Sequence, residues 1–276
     1  MSTTAVFFPF DLFGSSGTSA GAELLADAVD EMIADNRREC LTTRADAYND
    51  HVRTRLLSFS TLSSYQDWRK RGGRAVQQAF RRNDFLLWVT GNHLGVLPVY
   101  EELAREPDNT LIIQFDAHLD IQPFKDCTTE LSHGNYLLHC TGRLPAITNI
   151  GHRDLLLPAD YIAKYYRQTF AAADLIINPD RAVRRIRHTA RRAARVFIDI
   201  DCDVFDPAFF PALTHPLPFG LSPHLVLRLV DAAWSKRVIG FAFSEFDPGR
   251  DRGDQSLATL LWFLEYLILR RHKPQT

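Results

Sequence analysis

The chain has almost no net charge. Its 32 lysines and arginines nearly cancel 33 aspartates and glutamates, leaving a formal charge of −1. Nothing therefore draws the whole protein toward nucleic acid or an acidic membrane, and an electrostatic partner must be sought in a local patch. Cysteine is scarce as well. Cys40, Cys127, Cys140 and Cys202 form no Cys-x-x-Cys pair, which argues against a disulfide framework and a thiolate zinc cluster and fits reduced thiols in a cytoplasm. Long apolar runs are missing. The opening MSTTAVFFPFDLFG lacks a basic leader and is broken by Pro9 and Asp11, unlike a signal peptide. Near the end, LATLLWFLEYLILRR is too short to span a bilayer comfortably and carries Glu265 within it, so it reads as a buried or interface-packed helix. With no internal repeat, low-complexity tract or Pro/Ser-rich linker, residues 1–276 read as one domain.

What the sequence does hold is a series of strand-length apolar runs separated by helical patterns. AVFFPF reads as a first strand, followed by FLLWVT (85–90), TLIIQFDAH (110–118), AITNIGH (146–152), RVFIDID (195–201) and VIGFAFSEF (238–246). Each is nearly continuous in Val, Ile, Leu and Phe, the pattern of strands buried on both faces. Between them, residues 20–35 repeat apolar side chains at helical spacing, as do residues 223–233 after Pro223. The alternation predicts an α/β fold, a three-layer α-β-α sandwich around a mostly parallel sheet.

In such a sheet, ligands gather outside the carboxyl ends of the strands. The polar residues fall there: Asn92 and His93 follow LLWVT, Asp116, His118 and Asp120 close TLIIQF, Asp201 and Asp203 close RVFI, and Glu245 closes VIGFAF. Alternation along an extended strand would put Asp116, His118 and Asp120 on one face, and Asp201 and Asp203 likewise. So many carboxylates in a partly dry crevice repel unless cations neutralise them. Two imidazoles among carboxylates suit Mn²⁺ or a similar first-row ion, and four aspartates balance two divalent ions.

In the same order, the motifs GSSGTSAGAELL, TGNHLG, FDAHLD, SHGN, NIGHRD, DCDVFDPAFFPA and SEFDP resemble those of the arginase and agmatinase family, the ureohydrolases, over most of the chain. The resemblance implies two Mn²⁺ per chain, with Ni²⁺ or Co²⁺ as substitutes, held by His93, Asp116, His118, Asp120, Asp201 and Asp203, with Asp116 and Asp201 bridging. It implies hydrolysis of a guanidino or amidino carbon, with Glu245 holding the guanidinium and His133 passing a proton to the leaving amine. It further implies a cytoplasmic homo-oligomer, a trimer or hexamer, that works on a small molecule and touches neither nucleic acid nor membrane. Gln122 and Thr129 stand among the substrate-binding positions of the family's loop, where Lys125 reads as solvated.

Departures from the family pattern bear on specificity. Asn92 replaces an aspartate before the first histidine ligand, and Leu131 and Leu156 occupy positions that in arginases hold the amino acid end of the substrate, so arginine is expected to be a poor substrate and an agmatine-like compound or a guanidino acid the preferred one. Hydrolysis of a formimino group, and an inactive metal-binding homologue, are the alternatives. Asp199 reads as an acceptor behind the ligands, Asp206 before Pro207 as a turn residue, His139 and His152 as packing or hydrogen-bonding residues, and Cys202 as core. The stretch 180–196 carries seven arginines between 181 and 195. It lacks interleaved aromatics, and Ala182, Val183, Ile186 and Ala190 give it a packing stripe, so a solvated helix face or subunit salt bridges are favoured over a nucleic-acid patch.

Overall fold

The computed structural model describes residues 2–122 and 130–272. Eight strands are present among them: β1 (Thr3–Phe8), β2 (Val52–Leu56), β3 (Phe85–Thr90), β4 (Thr110–Phe115), β5 (Ala146–His152), β6 (Gln168–Ala171), β7 (Arg195–Asp201) and β8 (Val238–Ser244). They form one sheet in the order β2-β1-β3-β8-β7-β4-β5-β6, and every neighbouring pair is parallel. The helices are α1 (Thr18–Asn36), α2 (Leu62–Gln66), α3 (Trp68–Arg81), α4 (Leu97–Leu103), α5 (Ala159–Ile162), α6 (Ala172–Ile177), α7 (Asp180–Arg192), α8 (Pro223–Ala233) and α9 (Gln255–His272).

Strand periodicity divides the core. In β1, Ala5 and Phe7 face one apolar cluster while Val6 and Phe8 face the other; in β4, Leu111, Ile113 and Phe115 part from Ile112 in the same way. The first cluster is covered by α1, α6, α7, α8 and α9 through Val29, Leu175, Ile186, Val226 and Leu264. The second is covered by α3 and α4 through Val76 and Val99. This is the three-layer arrangement that continuous apolar strands require, because both sheet faces must leave water.

The apolar C-terminal segment is α9, which buries Leu260, Phe263, Leu264, Leu267 and Ile268. At about 1.5–3 kcal/mol per fully buried side chain, that stripe anchors the helix. Its Glu265 is not stranded in the apolar run: it accepts hydrogen bonds from the Tyr48 hydroxyl at 2.6 Å and Asn36 Nδ2 at 3.2 Å. No helix among the described residues is long and apolar enough to cross a membrane. Helix α7 buries the expected Ala182, Val183, Ile186 and Ala190.

Two strands escape the sequence pattern, and both lie at sheet edges. In β2 only Val52 is buried, and β6, QTFA, is half-buried throughout; an edge strand covered on one side needs no continuous apolar run. Strand ends also differ. Strand β1 stops at Phe8 because Pro9 offers no amide hydrogen to the ladder. Strand β4 stops at Phe115 and β8 at Ser244, so the acidic residues after them lie on turns.

Candidate metal centre

The turns after β3, β4, β7 and β8 meet at the carboxyl edge of the sheet. His93 opens a 3₁₀ turn, His93–Val96, directly after β3. Asp116, His118 and Asp120 lie beyond the end of β4, and Asp120 takes a left-handed conformation with φ 49°. Asp201 ends β7, and its Oδ1 accepts from the amide of Asp203 at 2.9 Å, capping the short turn Cys202–Val204. Convergence is thus achieved by turn geometry, and the expected alternation along extended strands does not hold beyond Phe115 and Asp201. Glu245 follows β8 at φ 62°. Left-handed backbone at two non-glycine residues costs of order 1 kcal/mol or more each and tends to be kept where a site demands it.

The side chains form two sets that share a member. Ligand-type atoms of His93, Asp116 and Asp120 lie within 4.8 Å of one another, as do those of Asp116, His118 and Asp203. His93 Nδ1 is 2.8 Å from Asp120, 3.1 Å from Asp201 and 3.3 Å from Asp116. Yet His93 Nδ1, Asp116 Oδ2 and Asp120 Oδ2 are buried without a hydrogen-bond partner among the described residues. Three converging, unsatisfied atoms of nitrogen and carboxylate type fit a divalent cation, since buried polar groups otherwise find partners. On its other side, His93 Nε2 lies 3.0 Å from Asp199 Oδ2, which also accepts from Tyr100 at 2.7 Å. Asp199 thereby orients the imidazole so that Nδ1 faces the carboxylates.

Electrostatics agree with the geometry. Burial, then Asp120 and Asp203, push the Asp116 carboxyl well above its usual range, and burial with Asp203 does the same to Asp201. Asp203 goes the other way: burial opposes its ionisation, but His118 and the amide of Ala117 outweigh it. Burial likewise disfavours the imidazolium of His118, but Asp203 and its acidic neighbours raise it to about 10. Among protein groups alone the cluster relieves its repulsion by taking up protons, which a bound cation would replace.

Around the cluster, Arg153 ties the β5 and β7 loops together by donating to the carbonyls of Asp203, Val204 and Leu217 at 2.6, 2.8 and 2.6 Å. The side-chain amide of Asn92 donates to the carbonyl of Leu12 at 3.0 Å, while its Oδ1 has no partner among the described residues. Asn92 therefore holds the Gly-rich opening segment against the site. A Cβ on Gly14 would sit 2.7 Å from both Asn92 Nδ2 and His133 Cγ, so that segment approaches the site as closely as it does only with glycine there.

A cavity of about 220 Å³ opens above the cluster. His133 and Glu245 line it, with 3.3 Å between His133 Nδ1 and Glu245 Oε1. Glu245 is fixed further by the backbone amide of His93, 2.9 Å away. Gln122 lines the cavity and points toward Asp154, 3.4 Å from its Oδ2. Thr129, with Lys125 and Cys127, lies outside the described residues. Leu131 packs instead against the second apolar cluster, and Leu156 is 90% exposed; neither lines the cavity. His139 and His152 stand outside both ligand sets. Asp206 makes a turn, accepting from the amides of Ala208 and Gly220, and Cys202 is fully buried. Ser15, Leu213, Thr214 and His215 also line the cavity, and none of them stands out in the sequence as a site residue. His215 follows the Asp-x-Asp-x-x-Asp-Pro run on a segment without apolar periodicity, so only its nearness to that motif could mark it.

A wholly parallel α/β sheet with carboxylates and imidazoles converging at its carboxyl edge defines a protein built to bind divalent metal there. The sequence profile of the Arginase family matches residues 4–268, and the chain belongs to that family. Among curated relatives, it is 27% identical to the formimidoylglutamase of Clostridium tetani over 179 residues, 59% of this chain and 51% of that protein. It is 26% identical to the agmatinase of Neisseria meningitidis serogroup B over 191 residues, 68% of this chain and 60% of that protein. The chain thus spans about half of the first of these and three fifths of the second. The arginase of Bacillus subtilis superposes with a TM-score of 0.75 at 19% identity, covering 97% of this chain and 98% of that one. The agmatine ureohydrolase of Thermoplasma volcanium gives 0.76 at 20% identity, covering 98% and 89%. These likenesses establish the arginase-type fold.

Proposed function

We propose that the chain is a binuclear metal-dependent hydrolase that cleaves a guanidino or amidino C–N bond, with urea as a product when the substrate is a guanidine. The observation that carries the reading is Asp116, shared by two ligand sets whose atoms include buried, unpaired ones. His93, Asp116, Asp120 and Asp201 would hold one ion and Asp116, His118, Asp201 and Asp203 the other; Mn²⁺ suits this oxygen-rich set, and Ni²⁺ or Co²⁺ can take its place. When bound, such ions supply the Lewis acidity that activates water near neutral pH. The remaining work belongs to side chains. Glu245, locked by the amide of His93, holds a planar cation through charge-assisted hydrogen bonds and aims its carbon at the cluster. His133, with 30% of its side chain exposed and 3.3 Å from Glu245, is placed to give a proton to the leaving amine. Burial opposes its protonation, but Glu245 holds the imidazole above its ordinary value, which favours the protonated form that a general acid needs. As a ureohydrolase, the chain would act as one catalytic unit over residues 1–276, in an oligomer of the cytoplasm.

The cavity mouth favours a substrate tail other than that of arginine. Apart from Glu245 and the ligand aspartates, the described residues that line it include no carboxylate to receive an α-ammonium, whereas His215 and the second amide hydrogen of Gln122 can donate to an anionic end. This supports a guanidino acid, or the formimino group of N-formimino-glutamate as a second reading. One panel tests both. kcat/KM is measured for arginine, agmatine, 4-guanidinobutyrate and N-formimino-glutamate with Mn²⁺-loaded and Ni²⁺-loaded protein, scoring urea, ammonia and formamide. Arginine at the head of the ranking would refute the reading of the mouth, and no product from any guanidino or amidino compound would refute the hydrolase.

A further inference from the structure

On the opposite rim of the sheet, where the strands begin, lies a second and larger cleft of about 550 Å³. It is bounded by the first residues of β4, β5 and β6 and by one face of α7. Arg185, His188 and Arg192 recur on that helix face at spacings of three and four, and Arg167 joins them from the loop before β6. Among the described residues, none of these four side chains is paired with a carboxylate, although neighbouring arginines are. The one acid among the described residues lining the cleft, Asp108, is already paired with Arg143, and nearby Glu106 with Arg195.

Cations often gather at a helix C-terminus to satisfy its free carbonyls. Here that task is performed elsewhere: Arg237 reaches across to the carbonyls of Arg191 and Ala193. The partial charge of the helix end, about half an electron, cannot balance three guanidinium groups. The cleft is thus a concave pocket with a surplus of positive charge that its own described residues do not neutralise.

We propose that this cleft is a binding site for a small polyanion, a metabolite with two phosphate groups. Three arginines that line one cleft from two elements offer guanidinium forks that can match several oxyanion groups at once. The volume lies within the range of about 300–1,000 Å³ for small-molecule sites. No Phe, Tyr or Trp is among the described residues lining the cleft, which removes the stacking platform that single-stranded nucleic acid uses, and the chain's net charge of −1 supplies no wider basic surface. The metal centre lies at the other end of strands such as six-residue β4, about 20 Å away at some 3.3 Å per residue, so the two sites can be probed separately.

The probe is fructose 1,6-bisphosphate, titrated calorimetrically into the Mn²⁺-loaded full chain, with unphosphorylated fructose as the blank. The proteins are the wild type, Arg185→Gln/Arg192→Gln, and Arg184→Gln/Arg187→Gln, whose changes lie on the same helix outside the cleft. Saturable binding at one site, weakened by roughly tenfold or more in the first variant and within about twofold of wild type in the second, is the expected result. All the substituted arginines are exposed, so thermal unfolding without ligand should match across the three proteins and rule out misfolding. Absence of saturable binding, or equal loss in both variants, overturns the proposal. So does a single-stranded oligonucleotide that binds tighter than the bisphosphate and is equally sensitive to Arg184→Gln/Arg187→Gln, an outcome that would identify a nucleic-acid surface instead.

Discussion

Substituting Asp201 by asparagine should change thermal stability in opposite directions with and without metal. Burial and Asp203 raise the Asp201 carboxyl well above its ordinary range, so in the folded, metal-stripped protein at neutral pH this acid costs stability whether it keeps its charge or takes up a proton. Each unit of elevation corresponds to about 1.4 kcal/mol, and one kcal/mol moves the Tm of a chain of this size by roughly 2–4 °C. The substituted amide would keep an oxygen to accept the Asp203 amide hydrogen, a bond of 2.9 Å in the wild type, while losing the charge. Metal-stripped Asp201→Asn should therefore melt at least about 2 °C above wild type at pH 7. The pH trend follows in sign. A carboxyl whose folded pKa lies above the unfolded value contributes fully below the unfolded value and loses that contribution as pH rises through the folded one. The gap between variant and wild type must therefore shrink as pH falls. With saturating Mn²⁺ the order should reverse. A ligand present at a hundred times its Kd stabilises by about 2.7 kcal/mol, and the variant would forfeit much of that at a carboxylate proposed to serve both ions. Calorimetric melting in chelator and in Mn²⁺ decides it. An Asp201→Asn protein that is less stable than wild type in both conditions would refute the premise that these acids are assembled for a cation.

His133→Asn should keep full metal content by elemental analysis yet lower turnover by a factor of about 10² to 10⁴, the usual worth of a general acid; unchanged turnover would reduce His133 to a structural role. Asp116→Ala should lose most bound metal, whereas Asp206→Ala, which removes only a turn acceptor for Ala208 and Gly220, should retain it; equal content in both would remove the shared-ligand assignment. Beside the start of β1, His272 is half-buried with its Nε2 2.8 Å from the Thr3 hydroxyl, and burial followed by His51 lowers it to about 4. Because the unfolded chain protonates first, its contribution is whole above about 6.5 and is lost as pH falls toward 4. His272→Gln should flatten the acid limb of the stability profile in that window, and an unchanged limb would show that the histidine is not held neutral by the fold.

How much of the fold can be read in advance depends on burial. Strands β3, β4, β7 and β8 lie inside the sheet and need apolar residues on both faces, so FLLWVT, TLIIQF, RVFIDI and VIGFAF declare themselves. Edge strands carry no such demand. VRTRL and QTFA are polar or mixed, and their place is set by pairing with β1 and β5, a long-range relation that periodicity does not encode. Helix α7 is legible for the converse reason: its apolar stripe persists among arginines because one face alone is buried.

The candidate site is legible in its residues and not in its geometry. Spacing of two along a strand brings Asp116, His118 and Asp120 to one face only while the chain stays extended, and the chain leaves the sheet after Phe115. Their convergence depends instead on the left-handed turn at Asp120, the cap that Asp201 places on the Asp203 amide, and Arg153 drawing the β7 loop to the β5 loop. The cap is local and typical of aspartate, but the turn at Asp120 rests on a conformation that its residue type does not announce, and the Arg153 contact joins segments about fifty residues apart. The same holds for Asp199, whose alternation with Asp201 places it deeper in the strand but does not say that it will meet both His93 and Tyr100. Removing that carboxylate would leave His93 held by carboxylates on one side alone. The ligand set and its orientation are separable properties, and the second is carried by residues outside the motif.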